Sequence, residues 1–223
     1  MVPSVMAELL MEHCIEMTAV TDHNSSGNTL AFARVLKKYD IAFLLGMEIS
    51  TREDVHVLVY FPDFKTLSKF EKEVVRPALR KVTLDPEIHG YQLLVDDNDE
   101  FIDMEEIWLG QSTDLSLDRV VFTARKFGAL VVLSHIFRRF GVVYQLGFLP
   151  ADLPVHGVEV LSPEEEEEAK KMSNVSIMAS SDAHHPDQIG RRKSLLRAHS
   201  RSFSELKFAL FGRDGRSVGP LWG

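Results

Sequence analysis

The sequence predicts an α/β protein built on a parallel sheet that is covered by helices. Short apolar runs, such as residues 41–45 and 129–133, alternate with stretches whose apolar residues recur at helical spacing. The runs are apolar throughout rather than alternately polar and apolar, a pattern typical of parallel strands buried on both faces. The sequence contains no repeat, low-complexity linker or domain boundary, so we expect residues 1–223 to form a single domain.

The first part of the chain shows this alternation most clearly. A helix is expected over residues 3–13, where a proline stands at an early position and apolar residues follow at helical spacing. An apolar strand over 15–20 comes next, followed by a loop and a helix with an apolar face over 30–36. Strands over 41–45 and 55–61 complete this part.

The middle of the chain is less regular. A long amphipathic helix is expected from about residue 64 to residue 81. Residues 91–102 are expected to form a hairpin around an acidic turn at 96–99. That turn lacks the spaced ligands, central glycine and closing glutamate of an EF-hand loop, which favours an ordinary solvated turn over a calcium site.

The second half returns to alternating strands and helices. Strands are expected over 129–133, 155–161, 175–180 and 194–198, and helices over 115–126, from 163 onward and over 203–211. Gly128 suits the C-terminal cap of the first of these helices. Ser162 suits an N-cap, because Pro163 and five glutamates follow it and acids are favoured in the first turn of a helix.

Composition limits the classes of function. A net charge of −8 argues against broad affinity for extended nucleic acid, since neutralising phosphates requires a basic surface. The single cysteine, Cys14, excludes an internal disulfide and suits a reducing compartment. The sequence has no apolar run near the ~20 residues that span a bilayer and no signal-peptide pattern, so we expect a cytoplasmic protein without membrane contact. The oligomeric state stays open.

Side chains that can bind metals stand at or near the ends of predicted strands. In chain order they are His23, Glu48, His135, Asp182 and His184, with His56 in or beside a strand. The carboxyl ends of parallel strands meet at one edge of a sheet, and carboxylates together with imidazoles suit a divalent metal. Taken singly, each residue also suits a polar turn or a packed position. Asp22 is either a further ligand or a carboxylate that orients His23.

Five short motifs surround these residues. They are Thr21-Asp22-His23, Gly46-Met47-Glu48, Val55-His56-Val57-Leu58, Ser134-His135 and Ser181-Asp182-Ala183-His184. In combination and order they resemble the motifs of the PHP family (polymerase and histidinol phosphatase). The resemblance implies a distorted seven-stranded β/α barrel that holds two or three divalent metal ions, of zinc, manganese, iron or magnesium. It also implies phosphoester hydrolysis, by phosphatases or exonucleases.

One part of the family pattern has no counterpart here. PHP proteins begin with a strand that ends in His-x-His, and no such motif stands before the helix at 3–13. We therefore expect the first strand and its ligands to be missing, one metal position to be weak, and the neighbouring strand to have an exposed edge. Two explanations stay open: a start codon assigned too late, or a degenerate module that no longer catalyses.

The resulting hypothesis is a metal-dependent phosphoesterase that hydrolyses a small phosphomonoester or a nucleotide through a metal-bound hydroxide. The metal ligands that the resemblance implies are His23, Glu48, His56, His135, Asp182 and His184. Arg138, in the loop beyond His135, is the candidate phosphate clamp, with a solvated loop charge as the alternative. Two other functions stay open. One is a 5′-end nuclease of the same family, and the other is a non-catalytic module that binds metal or a partner.

Overall fold

The computed structural model describes residues 1–222. The strands are β1 (Met17–Val20), β2 (Ala42–Ser50), β3 (His56–Phe61), β4 (Leu93–Val95), β5 (Phe101–Met104), β6 (Leu130–Leu133), β7 (Gly157–Glu159), β8 (Ser176–Met178), β9 (Lys193–Arg197) and β10 (Ser217–Leu221). The helices are α1 (Pro3–Glu12), α2 (Thr29–Lys38), α3 (Phe64–Phe70), α4 (Pro86–His89), α5 (Leu117–Lys126), α6 (Val142–Leu146), α7 (Pro163–Met172) and α8 (Phe203–Leu210). The alternation of strands and helices is confirmed.

The central feature is a curled six-stranded sheet with the order β1-β2-β3-β6-β7-β8. The pairs β1–β2, β6–β7 and β7–β8 are parallel. The prediction of a parallel sheet is wrong for β3, which runs antiparallel to both β2 and β6. The physical reason is the connection between β2 and β3, because residues 51–55 are too few for the crossover that a parallel pair requires.

The strands are apolar throughout because both faces of the sheet are covered. Val57, Val59 and Phe61 of β3 join a cluster with apolar residues of α3, α5 and α7. Leu58 and Tyr60, which point to the opposite face, join a cluster with residues of α8. A third cluster packs α1 against α2. Burial on both faces therefore removes the polar–apolar alternation whatever the direction of the strand.

Several local predictions are confirmed, and one is wrong. The side chain of Ser162 accepts a hydrogen bond from the backbone N–H of Glu165, as expected of an N-cap. Strands β4 and β5 form the expected antiparallel hairpin. The helix expected to reach residue 81 is shorter, since α3 passes into a π-turn at Glu71–Val75 and a 3₁₀ turn that ends at Ala78. Pro77 lies in that last turn, and proline has no N–H with which to continue a helix.

The curled sheet is consistent with the distorted barrel that the family resemblance implies. Within residues 1–222, β1 and β8 each pair with one neighbour in a sheet of six strands, so the seven-stranded barrel and the missing first strand stay predictions. A separate pair, β9 and β10, is antiparallel. Strand β10 was not predicted, because it contains Gly219 and Pro220, which are depleted in strands. None of the described helices is long and apolar enough to cross a membrane.

The fold also buries a histidine away from the predicted ligands. His156 accepts a hydrogen bond from the backbone N–H of Val131 through Nδ1 at 2.9 Å. Burial, and then the charge of Arg125, lower the pKa of His156 from 6.5 to about 4. Between these two pH values the unfolded chain binds more protons at this residue than the folded chain, so its contribution to folding is lost as the pH falls.

We expect His156→Asn to reduce the loss of stability between pH 6.5 and 4, because the amide oxygen of asparagine can accept the Val131 bond without titrating. The pKa shift of His156 corresponds to a change of at most about 3 kcal/mol in the free energy of unfolding. Urea unfolding at several pH values measures the effect, with exposed His199→Asn as the control. An unchanged pH dependence in His156→Asn would contradict the assignment.

Candidate metal centre

The predicted ligands converge where β1, β2 and β6 end, on one side of the six-stranded sheet. His23 follows β1, Glu48 lies near the end of β2, and His135 follows β6. His56 is the first residue of β3 rather than a residue at a strand end. Because β3 runs antiparallel to its neighbours, its beginning lies at the edge where β2 and β6 finish. The short reversal at 51–55 therefore brings His56 to the other ligands.

Backbone hydrogen bonds fix His23 beside Glu48. The two residues form a parallel bridge that continues the β1–β2 pairing. The N–H of Asn24 donates to the carbonyl of Glu48 at 2.7 Å, and the N–H of Glu48 donates to the carbonyl of Asp22 at 3.2 Å. As a result, Nδ1 of His23 lies 3.3 Å from Oε2 of Glu48.

The other carboxylate oxygen of Glu48 faces two more imidazoles. Oε1 lies 3.5 Å from Nδ1 of His56 and 3.8 Å from Nε2 of His135. Those two ring nitrogens are 3.3 Å apart. The ligand atoms of His23, Glu48 and His56 all lie within 4.8 Å of one another, a spacing suited to a single ion. One carboxylate thus stands among three imidazoles.

The protonation of this group suits a cation. Burial raises the pKa of Glu48, but the hydrogen bond from His56 and the charges of the three imidazoles outweigh it, so the pKa falls to about 2. Burial lowers the pKa of His135 to about 4 and also lowers that of His23. The lowered pKa values of His23 and His135 favour free ring nitrogens beside the Glu48 carboxylate, and imidazoles with a carboxylate are the donor set that zinc and manganese sites use.

Buried nitrogens without hydrogen bonds support the same interpretation. Nδ1 of His135 and Nδ1 of His23 have no hydrogen-bond partner among the described residues. For His23 the 3.3 Å approach to Glu48 lacks hydrogen-bond geometry. Buried polar atoms are normally satisfied, so exceptions call for an explanation such as an ion. The residues present therefore fit a divalent metal.

Asp182 and His184 lie at the open side of this cluster. Nδ1 of His184 is 3.8 Å from Oδ1 of Asp182, and the rings of His184 and His23 are 6.4 Å apart. The guanidinium of Arg138 contacts the carboxylate of Asp182 directly. The structure therefore brings all six predicted ligands and Arg138 into one neighbourhood. Their roles as ligands and as a phosphate clamp stay predictions.

The Asp22 side chain takes a different direction from its predicted partner His23. Adjacent residues of an extended chain point to opposite faces, and the Asp22 carboxylate accepts a hydrogen bond from Nδ2 of Asn28 at 3.4 Å. The same Nδ2 donates to the carbonyl of Leu93 at 3.1 Å. Asp22 therefore connects the His23 turn to the β4–β5 hairpin, and its only described bond to the ligand set runs through the backbone.

Strained backbone marks the same edge of the sheet. His135 has φ 29°, Asp182 φ 46°, Asn24 φ 53° and Phe140 φ 67°, all in the left-handed region that non-glycine residues avoid. Such residues cost on the order of 1–3 kcal/mol each and concentrate at functional sites. The turn after His135 is tight, since a Cβ on Gly141 would lie 2.3 Å from the carbonyl oxygen of His135.

Two residues that support the ligands were not identified from the sequence. Phe140 stacks on His56 with ring centroids 4.7 Å apart, and its carbonyl accepts the N–H of His56. Asn24 is fully buried and joins the end of β2 to the segment at 109–111, donating to two carbonyls and accepting the N–H of Ser50. Asn24 could have been identified from the sequence as a polar residue next to a ligand motif, whereas no sequence feature singled out Phe140.

We expect Glu48→Gln to weaken Mn²⁺ or Zn²⁺ binding by about a hundredfold, or ~3 kcal/mol, because it removes the negative charge of the carboxylate that faces three imidazoles. Isothermal titration calorimetry measures the affinity. Glu205→Gln is the matched control, since Glu205 is also buried but pairs with Arg216. Equal affinity in Glu48→Gln and wild type would refute a metal centre at Glu48.

The fold of this chain resembles those of several solved structures. No protein-family model and no curated protein matches the chain. Among solved structures, the lesion-specific endonuclease Q of Pyrococcus furiosus superposes with a TM-score of 0.70 and 17% identity, over 98% of this chain and 53% of the other. A complex of endonuclease Q with a 27-mer duplex carrying an abasic lesion at the active site superposes with a TM-score of 0.70 and 17% identity, over 97% of this chain and 53% of the other.

A third structure connects the fold with phosphoesterases. A two-domain protein from Bacteroides vulgatus that contains a predicted PHP-like metal-dependent phosphoesterase superposes with a TM-score of 0.56 and 17% identity, over 99% of this chain and 60% of the other. The chain spans about half the length of the endonuclease Q structures. At sequence identities this low, the similarity to these structures concerns the fold alone. The chain has the PHP-like fold that its ordered motifs predict.

Proposed function

We propose that this chain is a metal-dependent phosphoesterase of the PHP family. The observation that carries the proposal is the Glu48 carboxylate among His23, His56 and His135 at one edge of a PHP-like sheet. The lowered pKa values of Glu48, His23 and His135 favour a divalent cation over a proton. Both the PHP-like fold and this set of metal donors are consistent with phosphoester hydrolysis.

The six clustered side chains divide into two groups of ligands. His23, Glu48, His56 and His135 would form the buried group, with Glu48 able to serve two ions because its oxygens face different imidazoles. Asp182 and His184 would complete the set at the open side. Bound divalent cations supply polarisation of a phosphoryl oxygen and stabilisation of charge on the leaving oxygen.

Arg138 would bind the phosphate of the substrate. Its side chain is partly exposed and lies beside Asp182, within the ligand neighbourhood. A planar guanidinium can donate two parallel hydrogen bonds to phosphate oxygens, which both binds and orients the group. Asp22 would act indirectly, by holding the turn that carries His23 through its backbone bond to Glu48.

We favour a small phosphomonoester or a nucleotide as substrate, because the net charge of −8 disfavours a long polyanion. A nuclease is the second candidate, and one local surface supports it. Arg139 stacks over Phe140, and Tyr144 and Phe148 are 62% and 57% exposed on the segment that follows His135. Exposed aromatics beside arginines suit stacked bases and phosphates. The fold similarity to endonuclease Q agrees with this alternative.

The first test pairs metal content with catalysis. We expect Asp182→Ala to lower bound Mn²⁺ and the hydrolysis of a 5′-mononucleotide together, because the carboxylate would serve as a ligand. Elemental analysis and phosphate release measure the two quantities, with exposed Asp152→Ala as the control. Unchanged metal stoichiometry would count against Asp182 as a ligand. Manganese-loaded wild type that hydrolyses neither mononucleotides nor oligonucleotides would favour a non-catalytic metal-binding module.

The second test separates the two candidate substrates. If the protein is a nuclease, Tyr144→Ala should weaken binding of a 5′-phosphorylated oligonucleotide by about 1–3 kcal/mol, the range for loss of base stacking, and leave a mononucleotide unaffected. Fluorescence anisotropy measures binding of the oligonucleotide, and phosphate release measures hydrolysis of the mononucleotide. Exposed Phe122→Ala on α5 is the control. Preferential hydrolysis of the mononucleotide, with no effect of Tyr144→Ala on either ligand, would exclude the nuclease.

A further inference from the structure

A buried carboxyl group outside the predicted ligand set lies beneath the site. Glu159 is the last residue of β7 and is 2% exposed. No lysine, arginine or histidine pairs with it among the described residues. Burial raises its pKa to about 7, while hydrogen bonds from Ser180 and Ser134 oppose the shift. Burying an acid without a cationic partner costs free energy, so a local interaction should account for Glu159 at this position.

The contacts of Glu159 point to two ligand-bearing turns. Oε2 accepts a hydrogen bond from Oγ of Ser134 at 3.1 Å, and Oε1 accepts one from Oγ of Ser180. The backbone carbonyl of Glu159 accepts the N–H of Ile136 at 3.0 Å. Ser134 and Ile136 flank His135, and Ser180 lies two residues before Asp182. One residue therefore contacts both turns.

The sheet alone does not hold these turns together. Strands β6 and β8 each pair with β7 and not with one another. Pairing between β6 and β7 stops at Leu133 and Val158, so His135 lies beyond the regular ladder. His135 and Asp182 both have positive φ, a conformation that persists only when the surroundings impose it. Their relative placement therefore depends on contacts beyond the strand pairing.

We propose that Glu159 is a positioning residue that bridges Ser134 to Ser180 and thereby sets the placement of His135 relative to Asp182 for metal binding. Both of its oxygens are engaged by serine hydroxyls, so it acts through the turns rather than as a ligand. The inference rests on the metal site of the proposed function. Groups that orient ligands in this way influence metal affinity by about 10–100-fold.

The experiment compares two replacements of Glu159 by calorimetric titration with Mn²⁺. Glutamine can keep the bridge, because its amide oxygen accepts one serine hydroxyl and its NH₂ group donates to the other. We expect affinity within about threefold of wild type for Glu159→Gln and about 10–100-fold weaker for Glu159→Ala. Glu205→Gln and Glu205→Ala are matched controls at a buried glutamate on α8, and both should bind Mn²⁺ as wild type does.

Serine variants keep the test decisive if Glu159→Ala does not fold. Ser134→Ala and Ser180→Ala each remove one arm of the bridge, and each should weaken Mn²⁺ binding. Wild-type affinity in both serine variants would overturn the proposal, as would equal losses in Glu159→Gln and Glu159→Ala. Wild-type protein that binds no Mn²⁺ would instead refute the proposed function, so the two failures are distinguishable.

Discussion

The arrangement on which the site depends is a buried carboxylate surrounded by imidazoles. Glu48 keeps a pKa near 2 although it is 5% exposed, while burial holds the pKa of His135 near 4. The centre therefore combines an anion with the nitrogen donors of His23 and His135, whose pKa values burial lowers. Such an anion is costly without a cation to pair with it, and a divalent metal is the partner that also uses the free nitrogen lone pairs. The electrostatics and the donor chemistry thus indicate the same ligand.

Chain direction is what assembles this group. In a sheet of parallel strands alone, the first residue of β3 would lie at the edge opposite to His135. The five residues between Ser50 and His56 reverse the chain, and the reversal places His56 next to Glu48 and His135. Phe140 then stacks on the His56 ring, so that the loop after β6 orients a ligand from β3. The one antiparallel strand in the sheet is therefore a requirement of the site.

Most strands and helices could be predicted because burial leaves a local pattern. The ligand motifs could be predicted because polar residues at strand ends contrast with the apolar runs before them. The direction of β3 was missed because two buried faces erase the alternation of polar and apolar residues, which left the short connection from β2 as its signal. Phe140 and Glu159 were missed because their roles depend on residues distant in sequence, such as His56 and Ser180. Even so, Glu159 left a signal, as an acid within an apolar strand requires a partner.

The placement of the core explains how the fold sustains such a site. Four residues with positive φ at about 1–3 kcal/mol each would consume much of the 5–15 kcal/mol that stabilises an ordinary domain. The two strands beside His135 and Phe140, β3 and β6, are buried along their whole length, with Val57, Val59, Val131 and Leu133 all at 0% exposure. Strain at the ends of these strands is thus held by apolar packing within a few residues of it. A weaker core at β3 and β6 would allow the turns to relax, and the ligand geometry would be lost before the fold itself.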